Sequence, residues 1–149
     1  MNWQCLRFEQ LTGEQLYLVL AARQQVFVLE QQCLYQDMDG LDPAAHHLLG
    51  WSDGAEAPPL LAYLRILAPG VKFAEASLGR VLTTAAGRGT GAGRELLKRG
   101  IAEAEALYPG QHLRIGAQQY LEKFYASFGF VTVSVPYDED GIAHIDMLR

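Results

Sequence analysis

A chain of 149 residues with a formal net charge of -5 and 50% hydrophobic residues is sized for one domain, residues 1–149, that buries roughly 68–70% of its unfolded surface without covalent staples. The negative balance excludes the clustered Lys and Arg footprint of a nucleic-acid binder and fits a cationic substrate better. Cys5 and Cys33 make no disulfide framework, the Met1-Asn2-Trp3-Gln4 start has no basic-then-apolar leader, and the longest apolar run, Leu16 to Ala22, is far short of a membrane span. The expectation is a soluble, reduced, cytoplasmic protein with neither a nucleic acid nor a membrane as partner.

Trp3 to Phe8 reads as a first strand. Thr12 followed by Gln15 is a capping-box pattern, predicting a helix that continues through Leu16, Val19, Leu20, Arg23 and Phe27. Arg23, Phe27 and Glu30 share one face of it, and the default meaning of two charges there is a solvated surface. Gln31 to Asp42 is a loop by its turn formers. Its aspartates Asp37, Asp39 and Asp42 do not have calcium-loop spacing, because Gly40 follows Asp39 directly and no glutamate closes the loop. No metal is expected. The loop is either a plain surface loop, which composition favours, or an acidic wall for an amine.

His46 to Ser52 and Leu60 to Leu67 read as an antiparallel hairpin. His46 and His47 must point to opposite faces, one buried and hydrogen-bonded, the other exposed. After a connection from Ala68 to Ala76 comes a strand, Leu78 to Thr84. A loop holding Gly87, Gly89, Gly91 and Gly93 follows, then a long helix whose apolar stripe is Gly93, Leu96, Leu97, Gly100, Ile101, Ala104 and Leu107. Pro109 and Gly110 stop it before a strand from His112 to Ala117, giving a right-handed βαβ unit with parallel strands. The glycine loop then lies at the carboxyl end of its strand, the usual ligand position in such sheets. Gln119 to Ser127 reads as a short helix, and Val131 to Val135 and Ile142 to Leu148 as last strands around a turn at Asp138 to Gly141.

The glycines make either a tight strand-to-helix turn or an anion cradle, in which amides at a helix N-terminus close on a phosphate without interference from side chains. Arg88 favours the cradle, since it can reach a phosphate oxygen already held by amides. No Lys-Ser/Thr follows, and Gly-x-Gly-x-Gly is not the Gly-x-Gly-x-x-Gly of a dinucleotide fold, which counts against a nucleotide-binding oxidoreductase half. Arg88-Gly89-Thr90-Gly91-Ala92-Gly93 resembles the Arg/Gln-x-x-Gly-x-Gly/Ala pyrophosphate motif of the GNAT superfamily of acyl-CoA-dependent N-acetyltransferases. Tyr125, three unspecified residues, Gly129 and Phe130 resemble that superfamily's Tyr-x-x-x-Gly-Phe signature, in the right order past the long helix. On periodicity alone, Phe124, Tyr125 and Phe128 are core aromatics of a short helix. The ElaA-like subfamily is resembled over nearly the full chain, on Arg23 to Gln31, Cys33 to Asp42, Gly79-Arg80-Val81 and Asp140 to Ile145; Ala143 stands where that subfamily often has Pro.

The resemblance implies an α/β fold of the GNAT type, a central splayed mixed sheet of about seven strands flanked by helices. It implies transfer of an acetyl group from acetyl-CoA to a primary amine of a small molecule or peptide by direct attack. Val81, Leu82 and Thr83 would pair with the pantetheine arm. Arg88, Gly89, Thr90, Gly91, Ala92, Gly93 and Arg94 would hold the diphosphate. Tyr125, with a phenol of ordinary pKa about 10 against a thiol's about 8.5, would protonate the leaving thiolate. Glu30, His144 and Asp140 are candidates for the base or for substrate contacts, with a water chain as the alternative. Nothing beside Cys33 in sequence would activate it as a nucleophile. The resemblance leans toward a homodimer. A non-catalytic acyl-CoA-binding regulatory module would keep the glycine loop without needing Tyr125.

Overall fold

The computed structural model describes residues 1–149. Strands β1 (Asn2–Arg7), β2 (His46–Trp51), β3 (Leu60–Leu67) and β4 (Ala76–Thr83) lie side by side and antiparallel. Next to β4 comes β5 (Leu113–Gln118), parallel to it, and then β8 (Ile142–Leu148), antiparallel to β5. The short β6 (Val131–Thr132) and β7 (Tyr137–Glu139) both pair with β8. The strand expected over Val131 to Val135 is thus only two residues long. Pro136, which has no N–H, follows it, and β7 instead forms the hairpin with β8 through Asp140 and Gly141, whose φ of 53° and 82° suit a tight two-residue turn.

Helices cover both faces. Helix α1 (Gly13–Arg23) begins as its capping box requires: Thr12 Oγ1 accepts from Gln15 N at 3.1 Å, and Gln15 Oε1 accepts from Thr12 N at 3.0 Å. The chain then winds as a π-helix over Gln24–Glu30, three residues beyond Phe27. Val19 packs with Leu49, Trp51, Leu60, Tyr63 and Leu82 on this face. Helix α2 (Ala92–Leu107) buries Leu96, Leu97, Ile101 and Ala104 against Leu48, Ala62, Leu64 and Ile66 on the other. Each fully buried leucine there contributes about 1.5–3 kcal/mol. Gly100 lets α2 come close, because a Cβ at that position would stand 2.6 Å from Leu64 Cδ2. Helix α3 (Glu122–Ala126), entered through a 3-10 turn over Gln119–Leu121, seats Tyr125 in the same core. No helix is long and apolar enough to cross a membrane.

Two irregularities in β4 shape everything downstream. Its parallel pairing with β5 covers only Ala76↔Leu113 and Ser77↔Arg114, after which the strands part. On its other edge Gly79 pairs with Arg65 and Leu82 with Tyr63, so Arg80 and Val81 together oppose Leu64, which is a bulge of one extra residue. Arg80 takes a φ of 54°, in the left-handed region.

The 31–42 loop is not a plain surface loop, and Arg23 is not on a solvated face. Arg23 is fully buried, its Nε donating to Asp37 Oδ2 at 2.7 Å and its Nη1 to Asp42 Oδ1 at 2.7 Å. Arg65, also buried, donates Nη1 to Asp42 Oδ1 at 2.9 Å and Nη2 to Asp39. Arg80 donates Nε to Asp37 Oδ1 at 2.7 Å and Nη2 to the Asp37 carbonyl at 2.8 Å. Three carboxylates and three guanidiniums thereby neutralise one another, which is what permits their burial. His47, fully buried, must donate Nε2–H to the Asp42 carbonyl at 2.9 Å, which leaves Nδ1 to accept from the Tyr63 hydroxyl at 2.7 Å. Burial holds it below its ordinary pKa. His47 is thus the buried, hydrogen-bonded one of the pair, and His46, the other, is half-buried rather than exposed, with no partner for Nδ1.

Burial would raise the Asp42 pKa, but hydrogen bonds and charge from Arg23, and then from Arg65, outweigh it and hold the carboxyl low. Asp39 is held low in the same way by Arg65, the Leu41 amide and Arg80. A carboxyl depressed in the folded state lends stability above its unfolded pKa, about 3.9, and loses it as pH falls toward the folded value. Asp42→Asn should therefore cost about 3–5 kcal/mol at pH 7. Urea midpoints at pH 7 and pH 3 should show a smaller acid loss for the variant than for the wild type.

Candidate active site

Between the parted strands opens a cavity of about 900 Å³, lined by β4 from Ser77 to Thr83 on one side and by Ile115, Gly116 and Gln118 of β5 on the other. Past Ser77 the β5-facing edge of β4 has no strand partner. Of its main-chain groups, those of Val81 and the Thr83 N–H are available for an extended ligand lying as a pseudo-strand, whereas Leu82 pairs with Tyr63 of β3 and the Thr83 carbonyl accepts from Arg88 Nη2. The side chain of Leu82 faces the α1 core, whereas Val81 packs toward the α2 core, so this stretch is held from both faces.

At the end of β4 the chain turns into α2 through the glycine loop, and its four glycines serve different ends. A Cβ on Gly87 would stand 2.1 Å from the Leu61 carbonyl oxygen, so Gly87 is needed for packing beneath β3. Gly89 and Gly91 have φ of 75° and 84°, and Gly91 is the residue from which α2 starts. At Gly93 an added Cβ would make only a 3.4 Å contact with Thr83. Thr90 Oγ1 donates to the Gly87 carbonyl at 2.6 Å and accepts from Ala92 N at 3.3 Å, which bridges the turn. The N–H groups of Gly89, Gly91, Gly93 and Arg94 donate to no backbone carbonyl. Four free amides at the positive end of a 16-residue helix could hold an anion, as a cradle would. The Arg94 side chain lies over the Phe128 ring at 4.8 Å, so only its amide belongs to the cradle.

Arg88 does not reach free into the loop. Its Nη2 donates to Glu30 Oε2 at 2.5 Å and to the Thr83 carbonyl at 3.3 Å, tying the end of the π-helical segment to the glycine loop across the cavity. Tyr125 is 6% exposed and lines the cavity, with its ring edge-on to Phe124 and Phe130 at centroid separations of 5.3 and 6.1 Å. Burial, with a smaller contribution from Tyr120, pushes its phenol up to about 12. His144 lines the same cavity from β8. Its Nδ1 lies 2.8 Å from the Ile142 carbonyl and must donate to it, so Nε2 carries the lone pair when the ring is neutral. Glu139 Oε2 stands 3.4 Å from that Nε2, and Tyr137 stacks on the ring at 6.0 Å. Asp140 and Cys33 also line the cavity, and the Cys33 thiol donates to the Asp140 carbonyl at 3.0 Å, tying the 31–42 loop to the last hairpin.

The cavity therefore brings together Val81, Leu82, Thr83, Arg88, Gly93, Tyr125, Glu30 and His144. Arg65 and Tyr137, which sequence reasoning does not single out, complete its polar wall together with Asp39 of the 31–42 loop. In sequence the three aspartates suggest a plain surface loop or an acidic wall, and no local periodicity links them to arginines in other elements.

Residues 9–149 match the family described as acetyltransferase (GNAT) domain. A UPF0039 protein of Synechocystis sp. is 46% identical over 99% of this chain and 94% of its own length. Protein ElaA of Escherichia coli is 40% identical over 100% of this chain and 96% of its own. Among solved structures, an acyl-CoA N-acyltransferase from Pseudomonas aeruginosa superposes with a TM-score of 0.91 at 42% identity, covering 99% of this chain and 98% of that one. Escherichia coli ElaA superposes with a TM-score of 0.90 at 39% identity and the same coverage. With a parted pair of parallel strands, a glycine cradle at the start of α2 and this likeness along its whole length, the chain belongs to the GNAT acetyltransferase family, whose chemistry is acyl transfer.

Proposed function

We propose that the protein transfers an acetyl group from acetyl-CoA directly to a primary amine of a small molecule or peptide. What carries this reading is the convergence, on one cavity, of an unpaired β4 edge, Gly93 at the inner end of the glycine loop and the Tyr125 phenol, with Gly89, Thr90, Gly91, Ala92 and Arg94 outside its lining. A diphosphate in the cradle would orient the thioester arm along Val81–Thr83, with an amide there turned toward the thioester oxygen. The amine attacks the thioester carbonyl, the C–S bond breaks, and the departing thiolate takes the Tyr125 proton. His144 is the base in this reading, because its Nδ1–H is committed to the Ile142 carbonyl and Nε2 is left to accept the amine proton, directly or through water.

The lining bears four carboxylates, Glu30, Asp39, Glu139 and Asp140, and four cations, Arg65, Lys72, Arg80 and Arg88. Arg88 is matched by Glu30, and Arg65 and Arg80 by Asp39. Glu139 and Asp140, outside any arginine pair, offer an ammonium a place at the last hairpin, while the balance of charge disfavours a polycation. A homodimer fits the exposed Val131, Val133 and Val135 at the free end of the sheet.

Tyr125→Phe should slow CoA thiol release from acetyl-CoA by roughly a hundredfold or more while leaving CoA affinity nearly unchanged. With the phenol raised to about 12, the wild-type rate should not fall through phenol ionisation up to pH about 10. An unaltered rate in the variant, read with an amine panel, removes Tyr125 as the acid. For the cradle, Gly91→Ala should weaken CoA binding with a modest loss of stability, since only the φ of 84° resists it. Gly87→Ala should lower the thermal midpoint by several degrees through its clash with β3. Titration calorimetry and thermal unfolding separate the two.

A further inference from the structure

The bulge in β4 is held in place from outside the sheet. Arg80, at a φ of 54°, has the only non-glycine left-handed backbone within β4, and it lies immediately before the Val81–Thr83 edge that borders the cavity. An L-residue in that conformation is disfavoured by about 1–2 kcal/mol unless its surroundings over-determine it. Here they do. The guanidinium grips Asp37 twice, on its carboxylate at 2.7 Å and on its main-chain carbonyl at 2.8 Å. Asp37 is itself fixed by Arg23 Nε at 2.7 Å and by the Tyr35 hydroxyl at 3.2 Å. The restraint on the bulge thus comes from the 31–42 loop and, through Arg23, from α1.

We infer that Asp37 is a positioning residue for the donor: by clamping Arg80 in the left-handed conformation it sets the direction of the Val81–Thr83 edge on which the thioester arm would lie. Neither residue needs to touch the reacting atoms. The inference rests on the acyl-CoA reading of the cavity for its consequence, whereas the clamp itself is a property of the free protein. If only catalysis of some other kind occurred here, β4 would still be steered in this way.

Glycine separates conformation from contact, because it takes a positive φ without help. Arg80→Ala and Arg80→Gly both lose the clamp and the cation, yet only alanine keeps the backbone penalty. Arg80→Ala and Asp37→Ala should each raise the Kd for CoA about tenfold, whereas Arg80→Gly should stay within about threefold of wild type. The double variant Asp37→Ala/Arg80→Gly should recover most of the affinity that Asp37→Ala loses, although its thermal midpoint stays low because Arg23 has lost a partner in both. If affinity instead tracks thermal stability across the set, or if the alanine and glycine variants at position 80 bind CoA alike, Asp37 is only a structural residue and the inference falls. Amide hydrogen exchange at Thr84, whose N–H donates to the Leu61 carbonyl at 2.9 Å just past that edge, gives the same answer without ligand: faster in Arg80→Ala than in Arg80→Gly supports the clamp, and equal rates overturn it. A wild-type protein that does not bind CoA would defeat the reading of the cavity and leave the exchange comparison to decide on the clamp.

Discussion

Mutual neutralisation of Arg23, Arg65 and Arg80 by Asp37, Asp39 and Asp42 is the constraint from which the site follows. Two of these guanidiniums are almost wholly withdrawn from water, a condition that costs several kcal/mol per ion unless counter-charge and hydrogen bonds are supplied on the spot. Supplying them obliges the 31–42 loop to lie against β3 and β4, far from where a loop of that composition would drift by itself. Once there, it can hold the bulge of β4, and a bulged β4 diverges from β5. The cavity is then the space left by a sheet that cannot stay closed. An apolar substitute for the cluster could match it in stability but would have no reason to pull Arg80 into a left-handed conformation.

Glu30 and Arg88 make a second, more solvent-accessible tie across the same opening. Exposed pairs of this kind contribute little to stability, on the order of 0–1 kcal/mol, so the value of this one lies in where it stands. It neutralises the sole cation of the glycine loop while the cradle is empty, and an arriving diphosphate would compete with Glu30 for that charge. Under the proposed function Glu30 would then bear on donor binding, which a search for catalytic carboxylates by sequence alone does not suggest.

The elements that were legible in sequence are those whose cause is local. Thr12 and Gln15 satisfy each other's amides over three residues, and the α2 stripe repeats within one helix, so both could be read directly. The glycine motif and the Tyr125-to-Phe130 signature carried the family because each lies within a few consecutive residues. Arg23 was misread for the opposite reason. Its partners sit 14 and 19 residues further on, Asp37 in a loop and Asp42 at the start of a 3-10 turn, and helical periodicity contains no information about them. The bulge at Arg80 is equally silent, since a non-glycine residue gives no hint of a positive φ. Gly87 shows the limit within a motif: it looks like one more cradle glycine, but the nearest atom to a Cβ there belongs to β3.

Tyr125 poses the remaining question of energy, since a phenol near 12 is a weak acid for a thiolate whose conjugate acid has a pKa of about 8.5 in water. Taken at face value the proton transfer would be uphill by about 5 kcal/mol. The comparison is not between like environments, however. The phenol is raised chiefly by burial, and in the proposed reaction a sulfur leaving beside it would depart against Leu121 and Phe124, which line the same cavity. Burial disfavours the thiolate as it disfavours the phenolate, so both values rise and the gap between them narrows. In the proposed transfer, what would be a mismatch in solution would become a workable donor and acceptor, because one desolvated surface would serve both and would keep water from taking the acyl group in place of the amine.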